Sequence, residues 1–552
     1  MDRRGFLGCG ALAGLGALAG SDATSGEGGA GPGSGSAGGP AVSAAPVSVP
    51  AFELDEVTVA ELQKQMVTGQ RSSKQITEAY LGRIAALDRQ GPELRSVIET
   101  NPEALEIAAA LDAERKAKGP RGPLHGIPVL VKDNVDTRDK LTTTAGSLAL
   151  EGSIPSKDSH VAKRLRDAGV VILGKANMSE WANFRSTRSI SGWSARGGQC
   201  HNPYALDRNP CGSSSGSGVA VSANLAPLAV GTETDGSIVC PATNNGIVGI
   251  KPTVGLVSRA GVIPISHTQD TAGPMARTVA DAAALLTALA GGDPNDPATS
   301  GANTHAADYA KALDPNGLKG ARIGVARNMA GFHPDTDKLL DEAIAEMKRR
   351  GAEIVDPADV PGIKDLGDPE FEVLLYEFKA GLLAYLAALG PSARVKSFED
   401  LIAFDEKNRE REMPYFGQEI LLKAQAKGPL RSPEYQKALE TCGRLARKEG
   451  LDAVFEKHKL DALVAPTGAP AWVIDPVSGD HFVGGNSTPA AVAGYPSLSL
   501  PMGFVFGLPV GLSFIGPAWS EATLVKLAFA FEQATHHRRP PRFLTTAELP
   551  RG

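Results

Sequence analysis

The sequence predicts an α/β fold, a β-sheet covered by helices on both faces, and three observations carry that expectation. Short apolar runs, Ile127-Pro128-Val129-Leu130-Val131 and Val170-Val171-Ile172-Leu173 among them, read as buried strands. Stretches with apolar residues at helical spacing lie between such runs, and strands alternating with helices imply a sheet with helices packed on it. From residue 50 to residue 552 no repeat and no second low-complexity segment breaks the alternation, so one large unit is expected.

Taken from the N-terminus, the first element is an address rather than part of the fold. Arg3 and Arg4 precede Phe6-Leu7 and a mild Gly/Ala/Leu run to about residue 20, an order that resembles a twin-arginine signal over residues 1–23. Such a signal implies a periplasmic or secreted protein delivered by the twin-arginine export machinery. The apolar run is too short to span a bilayer, so no stable membrane insertion is expected after signal removal. Residues 24–49 are Gly, Ser, Ala and Pro with almost no large apolar side chains, a disordered tether. Helical periodicity then begins in residues 57–70, and Ser72-Ser73 open a second helix over SKQITEAYLGRIAALD. The strand at 127–131 follows, then the helical HVAKRLRDAG and the strand at 170–173. Residues 321–326 and 353–355 read as strands on either side of a helix through DEAIAEMKRRG. Residues 460–465 and 508–514 read as the last strands, and the amphipathic EATLVKLAFAFEQAT as the last helix. The intervening GGDPNDPATSGAN (291–303) reads as a surface loop.

Composition narrows the function classes. Hydrophobic residues at 42% and charged residues at 21% suit a globular chain with a large core. The formal charge of −6 is spread without single-sign blocks, so nucleic acid is not an expected partner. The one basic cluster, His536 to Arg542, reads as a solvated tail. Of the five cysteines, Cys9 falls in the signal, and Cys200, Cys211, Cys240 and Cys442 lack the spacing of a zinc site. They read as small buried packing residues, with a Cys200–Cys211 pairing left open.

The chemistry gathers around PCGSSSGSG (210–218). A linker does not fit, because the helical VAVSANLA follows at once. No GK[ST] follows either, which a phosphate loop would need. Gly212-Ser213-Ser214-Ser215-Gly216 matches GxSxG and nominates Ser214, but that elbow follows a strand, and HNPYALDRNPC cannot be a central strand. A better nucleophile lies downstream, where the apolar Leu228-Ala229-Val230 ends in GTETDGS and Ser237 stands where a helix could begin. Backbone N–H groups of Thr234, Asp235, Gly236 and Ser237 would converge there as an oxyanion hole, helped by the helix dipole. The base is found upstream, where the strand GIPVLV runs straight into Lys132. Strand alternation points Asp133 away from it, and a buried lysine without a counter-ion falls below its usual pKa of about 10.4.

Lys132 in GIPVLVKDN, then GSSSGSG, then GTETDGS with Ser237 placed 24 residues after Ser213, resembles the amidase signature family. The likeness runs from about residue 56 to 543, and WSARGGQCHNPY, GIVGIKPTVGLVSR and QDTAGPMART resemble its bacterial peptide amidase branch. The resemblance implies the amidase-signature fold, a large mixed sheet, with residues 50–552 as the amidase domain. It implies a Ser–Ser–Lys triad in which Ser237 attacks, Ser213 relays the proton with its hydroxyl aimed by a cis Gly212–Ser213 peptide, and neutral Lys132 is the base. It further implies hydrolysis of carboxamides, C-terminal peptide amides first, with no metal or organic cofactor and a small-molecule or peptide amide as partner. Asp235 and Val239 depart from the wider family's Gly and Arg, and Asp235 reads as a branch marker. Two rivals stay open: an amidotransferase A-subunit-like hydrolase, which would need partner subunits, and a non-catalytic binding protein on the same fold.

Overall fold

The computed structural model describes residues 44–390 and 393–549. The expected export signal and residues 24–43 of the tether lie outside the described residues. In chain order the strands begin with β1 (Val97–Thr100), β2 (Pro128–Lys132), β3 (Val171–Ala176), β4 (Trp193–Ser194) and β5 (Gly198–Gln199). There follow β6 (Leu228–Glu233), β7 (Val248–Lys251), β8 (Thr271–Ala276), β9 (Arg322–Val325) and β10 (Glu353–Val355). The last are β11 (Ala462–Pro466), β12 (Ser497–Val505) and β13 (Leu508–Ile515). Strands β4 and β5 pair with each other, and the remaining eleven form one mixed sheet in the order β1-β3-β2-β6-β8-β7-β12-β13-β11-β9-β10.

Parallel pairs join β3 to β2 and β2 to β6, and again β11 to β9 and β9 to β10. Between those blocks the pairing from β6 through β8, β7, β12 and β13 to β11 is antiparallel. Every residue of β2, β3, β6, β8 and β13 is buried. Burial of successive residues, which point to opposite faces, requires helices on both sides of the sheet. The apolar runs at 127–131 and 170–173 therefore supply central strands, as their composition predicts.

Helix starts are legible from their caps. Ser72 accepts from the Gln75 amide while Gln75 reaches back to the Ser72 amide, a capping box opening the helix Ser73–Leu87. Strand β8 is a different matter, because TAGPMA carries Pro274 opposite Val230 in the interior of the sheet. A side chain at its Gly273 would collide with Ile250 O, so the small residues permit close approach of the neighbouring strand.

Two expectations are corrected. Residues 44–49 are not a tether: Val47 N donates to Phe543 O at 2.9 Å and Thr545 N to Ala45 O at 3.0 Å. Val47 and Val49 also pack against the main core, which a count of small residues conceals. Nor is the basic cluster at 536–542 a solvated tail. Arg538 ion-pairs with Glu56 at 2.8 Å and donates to Gly246 O at 2.7 Å, fastening the C-terminal segment across the fold. No helix of the described residues is long and apolar enough to cross a membrane.

Candidate active site

Strand β2 lies between β3 and β6, so the side chain at its end cannot reach water, and Lys132 is 0% exposed. Its Nζ donates to Ser213 Oγ at 2.7 Å, Thr232 Oγ1 at 2.9 Å and Thr232 O at 3.1 Å. Thr232 Oγ1 also accepts from Asn134 Nδ2 at 3.0 Å. Among the described residues no carboxylate stands within ion-pair distance of Nζ. Burial therefore dominates and pushes the Lys132 pKa down to about 7, against the more distant charges of Glu233 and Asp270. Asp133 turns away, as alternation predicts, accepting from Thr144 Oγ1 and from the Gly146 amide at 3.1 Å.

The Gly212–Ser213 peptide is cis. A side chain at Gly212 would collide with Ser179 Oγ, and Ser179 N donates to Ser213 O at 3.1 Å. Ser214, the residue that the GxSxG letters nominate, is spent on structure: its hydroxyl donates to Thr232 O at 2.9 Å and accepts from Thr232 N at 3.1 Å.

Ser237 ends the turn that leaves β6 and precedes the helix Val239–Asn244. Glu233 Oε2 accepts from Ile238 N at 2.8 Å and Val239 N at 3.0 Å, fixing the start of that helix. Gly236 adopts φ of +80°, where a side chain would be strained and would press on Ser487 Oγ. Thr234 Oγ1 donates to Asp270 at 2.6 Å, and Thr488 Oγ1 donates to Asp235 Oδ2 at 2.7 Å. Among the described residues, the amides of Asp235, Gly236 and Ser237 find no protein acceptor. The structure thus brings Lys132 and Ser213 into direct contact, and ties Ser213's neighbour to the turn through Ser214 N donating to Ser237 O at 3.1 Å. The Ser213 and Ser237 hydroxyls are not hydrogen-bonded to each other.

Thr234, Asp235, Gly236, Ser237 and Gly212 line one wall of a pocket of roughly 90 Å³. Phe184, Ile265, Leu374, Trp472 and Phe482 add apolar surface to the lining. Asp480 holds the far rim, accepting from Ser191 N at 2.8 Å, and from Asn209 Nδ2 and Trp472 Nε1 at 3.0 Å. Trp472, Asp480 and Phe482 are shared with an open groove of roughly 1200 Å³ outside.

The cysteine expectation is corrected here. The disulfide joins Cys211 to Cys240, while Cys200 is free and buried. Cys211 precedes the Gly212–Ser213 peptide and Cys240 follows Ser237 by one short turn, so the fold sets their Cα atoms 5.9 Å apart.

Residues 75–525 match the family model described as Amidase. The chain belongs to the amidase signature family. A probable amidase of Arabidopsis thaliana is 44% identical over 503 residues, covering 89% of this chain and 93% of its own. The A subunit of a glutamyl-tRNA(Gln) amidotransferase from Synechococcus is 38% identical over 491 residues, covering 87% of this chain and 93% of its own. A crystal structure of a peptide amidase with the competitive inhibitor chymostatin matches with a TM-score of 0.86 at 55% identity, covering 89% of this chain and 100% of its own. The native peptide amidase of Stenotrophomonas maltophilia matches with a TM-score of 0.85 at 54% identity over the same shares. The protein is an amide-hydrolysing enzyme of the α/β class.

Several residues of this amidase's site are absent from the sequence reading. Thr232 and Glu233 stand inside GTETDGS, where alternation along β6 could have turned Thr232 toward Lys132. Asp270 and Asp480 come from distant segments and carry no local signal.

Proposed function

We propose that this amidase hydrolyses primary carboxamides, the C-terminal amides of peptides first among them, to carboxylic acid and ammonia through an acyl-enzyme on Ser237. One observation carries the reading: a wholly buried lysine with Nζ 2.7 Å from a serine hydroxyl, directly behind a turn that presents a second serine and free amides to a pocket. Neutral Lys132 has two N–H donors and one lone pair. In that form the donors serve Thr232 O and Oγ1, and the 2.7 Å bond to Ser213 reverses, so that the Nζ lone pair accepts the Ser213 O–H.

Ser237 Oγ attacks the amide carbon as its proton passes to Ser213 Oγ, and the Ser213 proton passes to Lys132 Nζ. The carbonyl oxygen becomes an oxyanion on the amides of the 234–237 turn, which need not reorganise to receive it. The C–N bond then breaks, and the proton returns from Lys132 through Ser213 to the departing nitrogen, which leaves as ammonia. Water enters, gives up a proton along the same route, and cleaves the ester to free acid and Ser237.

The likeness to peptide amidases over their whole length supports a peptide amide as substrate. So does the shape, since the small pocket suits a terminal amide while the adjoining groove leaves room for a peptide chain. Ser237→Ala should lower ammonia release from peptide amides by about 10³-fold or more; undiminished release overturns the assignment. Labelling of Ser237 by a fluorophosphonate would exclude a non-catalytic binding protein. An amidotransferase-like subunit predicts copurifying partners, and turnover of peptide amides by the isolated chain would count against it. Export by the twin-arginine route remains part of the proposal, supported by Arg3-Arg4 and by a disulfide suited to an oxidising compartment. Cell fractionation tests it.

A further inference from the structure

Beneath the nucleophile turn lies a cluster that the mechanism does not use. Glu370, on the helix Gly367–Ala388, is 0% exposed, and Leu374 one turn further along that helix lines the pocket. Its Oε1 accepts from Gln269 Nε2 at 2.8 Å, and the same amide group donates to Thr234 O at 3.4 Å. Its Oε2 is buried without a partner, and so is Asp235 Oδ1. Two ionised carboxylates would leave both buried oxygens unpaired, a costly arrangement in a dry interior. Gln269 ties Glu370 to Thr234, the residue before Asp235, and a single proton shared between the two carboxyl groups would satisfy both oxygens.

We propose that Glu370 is a positioning residue of the oxyanion turn: as the neutral acid it donates its proton to Asp235 and accepts from Gln269, and together they aim the Asp235 amide. The aiming follows from peptide geometry. A trans peptide carries its C=O and N–H on opposite sides, so holding Thr234 O from below directs the Asp235 N–H away from Gln269. Gripping the Asp235 side chain fixes the next peptide in the same way. Asp235, the branch-specific residue of GTETDGS, is thus kept off the oxyanion by a partner that only a neutral acid can be.

The surrounding charges agree. Burial first, then the Asp235 charge, pushes the Glu370 carboxyl well above the usual carboxylate range. From the other elements, the charge of Glu370 acts on Cys442 of the helix Pro433–Gly443, while the Ser487 and Thr488 hydroxyls and then Glu233 and Lys251, with opposite signs, act on Asp235. Among the described residues, the groups acting directly on Glu370 are Asp235 and Gln269, neither of them a cation.

The inference rests on the oxyanion reading of the turn, and the test separates the two. Glu370→Gln keeps a donor for Asp235 and an acceptor for Gln269, so kcat on a peptide amide should stay within about threefold of the native enzyme. Glu370→Leu keeps the bulk but loses both bonds, and kcat should fall roughly ten- to hundredfold with KM little changed, as for a displaced reacting group. Infrared difference spectra at neutral pH should show a protonated carboxylic acid in the native enzyme that Glu370→Gln lacks. Equal losses in both variants, an unimpaired Glu370→Leu, or a native enzyme without that acid band would overturn the proposal. If Glu370→Leu does not fold, the band and the Glu370→Gln rate decide. A dead Ser237→Ala beside an unimpaired Glu370→Leu would overturn this inference alone, whereas an active Ser237→Ala would overturn the underlying mechanism.

Discussion

Lys132 and Lys175 sit on adjacent parallel strands, one residue out of register, and so on opposite faces of the sheet. Both are 0% exposed, and burial is the first cause lowering the pKa of each. Lys175 Nζ donates to Val135 O at 2.5 Å and Thr143 Oγ1 at 2.8 Å, and nearby Asp133 and Asp136 favour its charged form. Among the described residues, neither Lys175 nor its hydrogen-bond partners line the pocket. Lys132 faces a hydroxyl whose own peptide lines the pocket, and only distant carboxylates oppose its neutralisation. Burial makes an amine available as a base; an outlet for its proton makes it useful.

The sharpest way to break this contrast is to exchange the fates of the two residues. Lys132→Ala should cost about 10³–10⁴-fold in kcat, the range of a lost general base, with the fold retained by circular dichroism. If activity survives, Lys132 is not the base. Lys175→Met should do the reverse, lowering stability in denaturant titrations by about 1–3 kcal/mol through unpaired buried groups. Its kcat in the folded protein should stay within about threefold of the native enzyme's.

Two finer tests probe the proton itself. On the proposed mechanism the neutral amine is the active form, so kcat/KM should be low where Lys132 is protonated, rise with pH through about 7, and level off above. A profile falling through that range would contradict the assignment. Thr232→Val removes an acceptor that favours the ammonium, so the rise should move to lower pH by about one unit or less. An upward shift would mean that the hydroxyl stabilises the neutral amine more than the ammonium.

How far the residues alone announced this arrangement depends on sequence distance. Apolar runs such as Val129-Leu130-Val131 declared central strands because nothing but burial on both faces accounts for them. Strand β8 stayed hidden because Gly273 and Pro274 oppose the usual strand composition, and only its neighbours' close approach explains them. At the site, Lys132, Ser213 and the 234–237 turn were legible because each motif carries a local oddity: a lysine ending an apolar strand, or glycines gathered around a serine. Asp270, Glu370 and Asp480 are ordinary acids in ordinary helices or loops, and their roles arise only from partners brought in across the fold. The same holds for Cys240, whose pairing depends on where β6 returns the chain rather than on spacing.

The Cys211–Cys240 disulfide has a consequence for how the enzyme meets different substrates. It bolts the peptide bearing Ser213 to the helix that follows Ser237, so that wall of the pocket behaves as a fixed jaw. A second segment of the lining runs from Trp472 to Phe482 and is held by the hydrogen bonds of Asp480. Variation in what the enzyme accepts is therefore to be sought along that second segment, which, among the described residues, no disulfide ties to the wall that carries Ser213 and Ser237.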